Sequence, residues 1–278
     1  MKIACLTPMM PDYRLDEAFE LLSALGYTGI EIGVGYPKAL WNTSRQWHVG
    51  LDELEESVPN IAGLVEKYSL PVINIASVMV DEEKQLELCR FASMLGCKMV
   101  RLASKQFMYC EDVGYDKLFT QSRECLSRLV DRTGKLGVKL LVETHQGNIT
   151  PSGALARRFV EGFDPERVGV IWDPANQLVE GGESPALSLD LLGQYLAHVH
   201  VKNSVINRSE AGWGFEYVPF RQGMIDWKEI VRLLRKRGYD GWFSIEDFYG
   251  GYCVKPKGTT TDKKLAEDIA DLCLFLAE

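Results

Sequence analysis

Apolar positions in this chain fall into short, nearly unbroken runs that alternate with longer stretches of i, i+3, i+4 spacing. The short runs lie near 2–7, 29–33, 71–77, 98–103, 138–144, 168–173, 196–202 and 241–247. Runs of that length, apolar at almost every position, are the pattern of parallel strands covered on both faces. Helical spacing follows each of them, over 14–25, 52–69, 81–95, 115–136, 151–161, 184–194, 226–237 and 260–277. Four joins share one phrase, a helical stretch ending in Gly and then a strand within one to three residues: Gly26, Gly96, Gly137 and Gly238. Each predicts a helix closed by a left-handed glycine, with a strand at once behind it.

Eight strand-helix units spread over 278 residues average about 35 residues each. That is the size of a single (β/α)8 TIM barrel occupying 1–278, with little over for a second domain. The competing architecture, a doubly wound open sheet, lacks its phosphate fingerprint. The GxG of Gly33-Val34-Gly35 has neither a third glycine nor a helix start behind it. Two connections exceed the usual two to six residues of a strand-helix loop. Segment 34–51 carries Tyr36, Trp41, Trp47 and His48, and segment 203–225 carries Trp213, Phe215, Tyr217 and Phe220. At the C-terminal ends of barrel strands such aromatics either wall a sugar-sized ligand, pack the loops down, or form a subunit contact.

Composition adds boundaries to this picture. With 46% hydrophobic and 25% charged residues the chain is an ordinary folded protein. Its net charge of −8 disfavours a nucleic-acid partner held by a broad basic surface. Seven cysteines, none in a CxxC pair, point to reduced core thiols rather than a disulfide framework or a thiolate zinc site. Pro8 and Pro11 interrupt the N-terminus before any stretch of signal-peptide length, and no later segment is apolar enough to span a membrane. A cytoplasmic location is expected, and a homo-oligomer, usually a symmetric dimer, is the base-rate expectation for assembly.

The candidate chemistry sits at strand ends. Glu143 closes Leu140-Leu141-Val142-Glu143, Asp173 follows Val170-Ile171-Trp172, His200 lies in His198-Val199-His200-Val201-Lys202, and Glu246 follows Phe243-Ser244-Ile245. One carboxylate in such a place is usually a helix cap or a loop ion pair. Four acid or imidazole groups on four successive strands are different, because three crowded carboxylates repel unless a cation neutralises them. Three carboxylate oxygens and one imidazole nitrogen suit one divalent ion, Mn²⁺ first, with Mg²⁺, Co²⁺ or Zn²⁺ also of suitable hardness. Strand alternation puts His145 on the face of Glu143, His198 one layer below His200, and Lys202 above it. His198 is therefore expected to be a supporting or structural residue rather than a ligand.

Together these residues resemble the sugar phosphate isomerase/epimerase group of xylose isomerase-like barrels (the AP endonuclease family 2 group). The resemblance covers essentially the whole chain. It is carried by Glu143, by Asp173-Pro174-Ala175-Asn176, by His198-Val199-His200-Val201-Lys202, and by Gly238-Tyr239-Asp240-Gly241-Trp242-Phe243-Ser244-Ile245-Glu246. It implies a metal held by Glu143, Asp173, His200 and Glu246, with Glu143 and Glu246 exchanging a proton across a keto-sugar, keto-cyclitol or related hydroxyketone through an enediolate. His145, Asn176, Lys202 and Arg101 are the candidate substrate-binding residues. Their plainer alternatives are a capping histidine for His145, a solvated lysine for Lys202 and an ion pair with Glu31 for Arg101. Arg221 either meets an anionic substrate group or faces water. The chain departs from the common pattern at Asn176, where many members have His, at Asn203, where many have Asp, and in Pro219-Phe220-Arg221-Gln222-Gly223-Met224-Ile225-Asp226, which replaces a glycine-rich phrase.

Four functions compete on these residues. An isomerase or epimerase leads, and a lyase that eliminates a β-substituent from the same substrate class uses the same site. A phosphodiesterase like endonuclease IV would call for more than the four histidines present. A non-catalytic sugar-binding barrel would have no use for paired glutamates around a metal.

Overall fold

A computed structural model describes residues 2–36, 47–103, 107–210, 212–248 and 258–277. The first half runs β1 (Ile3–Leu6), α1 (Leu15–Leu25), β2 (Gly29–Gly35), a two-residue β3 (Val49–Gly50), α2 (Leu54–Tyr68), β4 (Val72–Ser77), α3 (Glu82–Met94), β5 (Met99–Arg101) and α4 (Tyr115–Arg132). The second runs β6 (Lys139–Glu143), α5 (Gly153–Val160), β7 (Val168–Trp172), α6 (Pro174–Glu180), α7 (Pro185–Leu192), β8 (Leu196–Val201), β9 (Ser204–Ser209), β10 (Gly212–Tyr217), α8 (Trp227–Lys236), β11 (Phe243–Ile245) and α9 (Thr261–Ala277).

Eight of these strands pair in parallel around a closed ring, β1, β2, β4, β5, β6, β7, β8, β11 and back to β1. The expected (β/α)8 TIM barrel is thus the observed architecture. Its strands are buried on both faces because their outer side chains meet helices such as α3, α5 and α8, which contribute Phe91, Phe159 and Trp227 to the core. Serine and aspartate caps start several of those helices where the sequence places them. Asp81 accepts from Lys84 N, Ser152 from Leu155 N, and Asp226 from Glu229 N. The four glycines of the recurrent phrase all have positive φ, between 65° and 88°. Helix α4 nevertheless stops at Arg132, before the expected end at 136, and a turn carries the chain to Gly137.

Two features were not expected. Segment 203–225 contains an antiparallel hairpin of β9 and β10, with Tyr217 opposite Ser204 and Trp213 opposite Arg208. Aromatic residues read as loop contents are in fact alternating strand positions. The other is α6, a short helix directly behind Asp173, too short for its spacing to register in the apolar pattern. Trp41 lies outside the described residues. Among the described cysteines none is disulfide-bonded. Cys5, Cys89, Cys97 and Cys125 are buried as expected, whereas Cys110 is exposed and Cys273 half-buried. No helix among the described residues is long and apolar enough to cross a membrane.

Asn203 explains one departure from the family pattern. Its amide nitrogen donates to the carbonyls of Phe220 and Ile225, and its oxygen accepts from Ser204 N and Ile225 N. A buried amide that both donates and accepts laces the 219–225 segment to the end of β8; a carboxylate could only accept. Asn203→Asp is therefore expected to lose two donated bonds and lower stability by roughly 2–5 kcal/mol, read as a reduced denaturation midpoint with unchanged denaturant slope.

Candidate active site

The residues that converge at the barrel mouth are the inward-pointing side chains at the ends of their strands. Glu143 ends β6, Asp173 and Glu246 follow β7 and β11 directly, and His200 lies within β8 with Lys202 just past it. Asp173 is placed by two interactions that the sequence encodes locally. Its Oδ1 caps α6 by accepting from Ala175 N and Asn176 N, and its own N–H donates to Thr144 Oγ1 at 2.8 Å. With Oδ1 held by the cap, Oδ2 is turned into the mouth.

Glu143, Asp173, His200 and Glu246, all buried, each present one ligand-type atom, and these atoms all lie within 4.8 Å of one another. His200 Nδ1 is 3.1 Å from Glu143 Oε1 and 3.2 Å from Glu246 Oε2. Lys202, only 1% exposed, places Nζ 2.6 Å from both Asp173 Oδ2 and Glu246 Oε2. It is not the solvated lysine that was one reading of the sequence. Arg101 Nε lies 2.6 Å from Glu143 Oε2, so the guanidinium meets the mouth carboxylate rather than the Glu31 partner considered for it. Asn176 Nδ2 donates to Asp173 Oδ2 at 2.9 Å and to Glu143 Oε1 at 3.3 Å, and thus braces the carboxylates from behind. His145 Nδ1 contacts the Gln146 carbonyl oxygen at 2.6 Å.

Protonation in the site follows from these neighbours. Burial pushes the Glu143 carboxyl up, but Arg101 and the His200 hydrogen bond outweigh it and hold the group well below the usual carboxylate range. Glu246 is likewise pulled down to about 2, against burial, by Lys202 and His200. Asp173 moves the other way: burial and the nearby Glu246 and Glu143 charges raise it despite Lys202. His200 is held well above an ordinary imidazole because the surrounding carboxylates, Glu246 and Glu31 foremost, overcome the cost of burying its charge.

Residues that could hold a cation are therefore present, and the charge balance indicates that one fits. Four buried carboxylates (Glu31, Glu143, Asp173, Glu246) face two permanent cations, Arg101 and Lys202. The raised His200 marks where a proton makes up part of the difference. A dication among the four donors would replace that proton and offset the remaining carboxylate charge.

Above the cluster opens a cavity of about 330 Å³, lined at its floor by Arg101, Glu143, His145, Lys202 and Glu246. Its walls include Leu102, Phe107, Met108, Tyr217 and Phe248. Tyr217 and Phe248 pack ring to ring at 5.4 Å, so the last residue of the hairpin forms part of the wall, while Trp213 further along is 74% exposed. Asn176 is not among the lining residues. Arg221 is also away from the cavity, ion-paired with Asp271 of α9 at 2.7 Å.

Sequence reasoning gave no site role to Glu31 and Asn74, which lie on neighbouring strands in register and share a hydrogen bond of 2.9 Å. The signal that could have found them is a lone polar residue in mid-run: Glu31 interrupts Gly29–Gly35, and Asn74 interrupts Val72–Ser77.

The closed barrel with carboxylates and imidazole at its C-terminal mouth defines a class of protein. The family model described as xylose isomerase-like TIM barrel matches residues 19–273, and the chain belongs to that family. It is similar to the inosose dehydratase of Lacticaseibacillus casei, 24% identical over 257 residues that cover 84% of this chain and 82% of that protein. The fructoselysine 3-epimerase of Escherichia coli O157:H7 is 23% identical, covering 84% and 85%. Among solved structures, the zinc-bound IOLI protein superposes with a TM-score of 0.77 at 17% identity, covering 100% of this chain and 98% of that one. Family and site together make this chain an enzyme.

Proposed function

We propose that the chain is a divalent-metal-dependent enzyme that moves a proton at the carbon beside the carbonyl of a keto-sugar, keto-cyclitol or related hydroxyketone. The observation that carries this reading is the convergence of Glu143, Asp173, His200 and Glu246 within 4.8 Å at the floor of a sugar-sized cavity. Those four residues would hold the ion, and the mix of hard oxygens with one nitrogen favours Mn²⁺, with Zn²⁺, Co²⁺ and Mg²⁺ as alternatives. When bound, the cation polarises the substrate carbonyl and makes the adjacent C–H acidic.

The chain's own groups supply the rest. Glu143 and Glu246 enter as carboxylates from strands three places apart in the ring, so one can take the proton and the other return it. Removal on one face and return on the other inverts the carbon. Arg101, Lys202 and His145 line the same floor and place positive charge or hydrogen bonds around the developing enediolate. Tyr217 and Phe248 offer apolar ring surface to the C–H face of a ring.

Elimination is the second reading. It is favoured by the similarity to an inosose dehydratase over 84% of this chain. The first step is the same, and the outcome is decided by whether a β-substituent leaves before the proton returns. Incubating the Mn²⁺-loaded protein with a panel of hydroxyketones in D₂O separates the two. Deuterium at the α-carbon with the hydroxyl count intact is the expected result. Release of water or an aglycone would assign a lyase, and a metal-loaded protein that exchanges no substrate proton would leave only a binding barrel.

A further inference from the structure

Beneath the four-residue cluster lies a second set of side chains that the proposed chemistry does not use directly. Glu31, Asn74 and His198 are fully buried, as is His200 above them. Glu31 Oε1 accepts from Asn74 Nδ2 at 2.9 Å and lies 3.3 Å from His200 Nε2. Its Oε2 lies 3.1 Å from His198 Nε2. Both carboxylate oxygens are thus fixed by groups on other strands.

This arrangement decides which nitrogen of His200 is available. A carboxylate can only accept, so without a cation both ring nitrogens carry hydrogen, Nε2 toward Glu31 at 3.3 Å and Nδ1 toward Glu143 Oε1 and Glu246 Oε2 at 3.1 and 3.2 Å. A cation among the four donors would displace the Nδ1 proton, while the lower nitrogen keeps its hydrogen on Glu31. The His198 and His200 rings meet edge to face, with centroids 5.2 Å apart and an interplanar angle of 82°. We propose that Glu31 is a positioning residue: it sets the tautomer and orientation of His200 so that Nδ1 is the metal ligand and Nε2–H is donated downward. The inference rests on the reading of the four residues above as a cation site.

Glu31, His198 and His200 could themselves be mistaken for a second cation site, since their donor atoms also meet within 4.8 Å. The position of His200 argues otherwise. Its Nδ1 faces the upper four-residue cluster, so a cation in each place would require His200 to bind through both nitrogens at once.

The test measures Zn²⁺ affinity by chelator competition, together with ¹⁵N shifts of the histidine rings in the full-length, zinc-loaded protein. Wild type is expected to bind one ion per chain, with His200 metallated at Nδ1 and protonated at Nε2. Glu31→Gln is expected to weaken binding roughly 10–100-fold, the usual cost of losing such a support. Asn74→Ala removes a different bond to Glu31 and leaves the carboxylate facing His200, so its affinity should stay within about threefold of wild type. A merely structural role would move both variants together. Unchanged affinity in Glu31→Gln, zinc on Nε2 in the wild type, or two ions per chain would each overturn the proposal. The wild-type ring shifts decide the matter even if Glu31→Gln does not fold. A wild-type chain that binds no ion at all would instead overturn the underlying cation site, and the positioning role with it.

Discussion

Glu246→Gln should reduce solvent deuterium incorporation into substrate by roughly 10²–10⁴-fold at saturating metal, the range lost when a positioned acid-base group is removed. The substitution keeps the size of the side chain and an oxygen that can still accept from Lys202, so little else in the cavity wall should change. What disappears is the carboxylate that Lys202 and His200 hold ionised, the form able to take a proton. Because Glu246 is also one of the four donors, metal affinity should fall as well, and the comparison must be made with the ion in excess. Glu143→Gln should behave alike, with the further loss of the carboxylate that neutralises Arg101. The measurement is mass spectrometry of substrate recovered from D₂O. Exchange at the wild-type rate in either variant would remove that glutamate from proton transfer.

Lys202→Met should produce the largest loss of stability among single changes at the mouth. Its ammonium lies 2.6 Å from two carboxylates in a fully buried setting. Without it Asp173 and Glu246 face each other uncompensated, and breaking a buried pair in this way typically costs about 3–5 kcal/mol. For a chain of this size that corresponds to a melting temperature lower by roughly 10 °C in metal-free protein. Added cation should recover much of this, because the ion takes over the neutralisation that Lys202 provided. Ligand at a hundred times its Kd contributes about 2.7 kcal/mol. The metal-induced rise in melting temperature should accordingly be larger in Lys202→Met than in wild type. Calorimetric scans with and without Mn²⁺ check both parts. A metal-free variant melting within a degree or two of wild type would contradict the electrostatic reading of Lys202.

The barrel was legible because its signal is repeated. Eight apolar runs, each followed by helical spacing, leave few topologies open, and local markers such as Gly26 and Gly238 set the ends of helices. The four donor residues were legible for a related reason: each is a charged or imidazole group at the far end of an otherwise apolar run. Other features were harder to see for physical reasons. Lys202 could be read as solvated because lysine is usually exposed, and its burial depends on Asp173 and Glu246, which lie 29 and 44 residues away. The β9–β10 hairpin does alternate, with Trp213, Phe215 and Tyr217 at every second position of β10, but it lies inside a strand-helix connection and leaves Trp213 in solvent, so it reads as loop. Glu31 stands within a strand rather than at its end, unlike the four mouth residues, and its partner His198 lies 167 residues distant.

An anomalous difference map from crystals soaked in Mn²⁺ or Zn²⁺ tests directly whether one dication binds among Glu143, Asp173, His200 and Glu246. A single strong peak per chain is expected, about 2.0–2.2 Å from an oxygen of each carboxylate and from His200 Nδ1 for zinc. A map with no peak among these four residues, or with the ion bound elsewhere in the barrel, would contradict a metal site at the mouth.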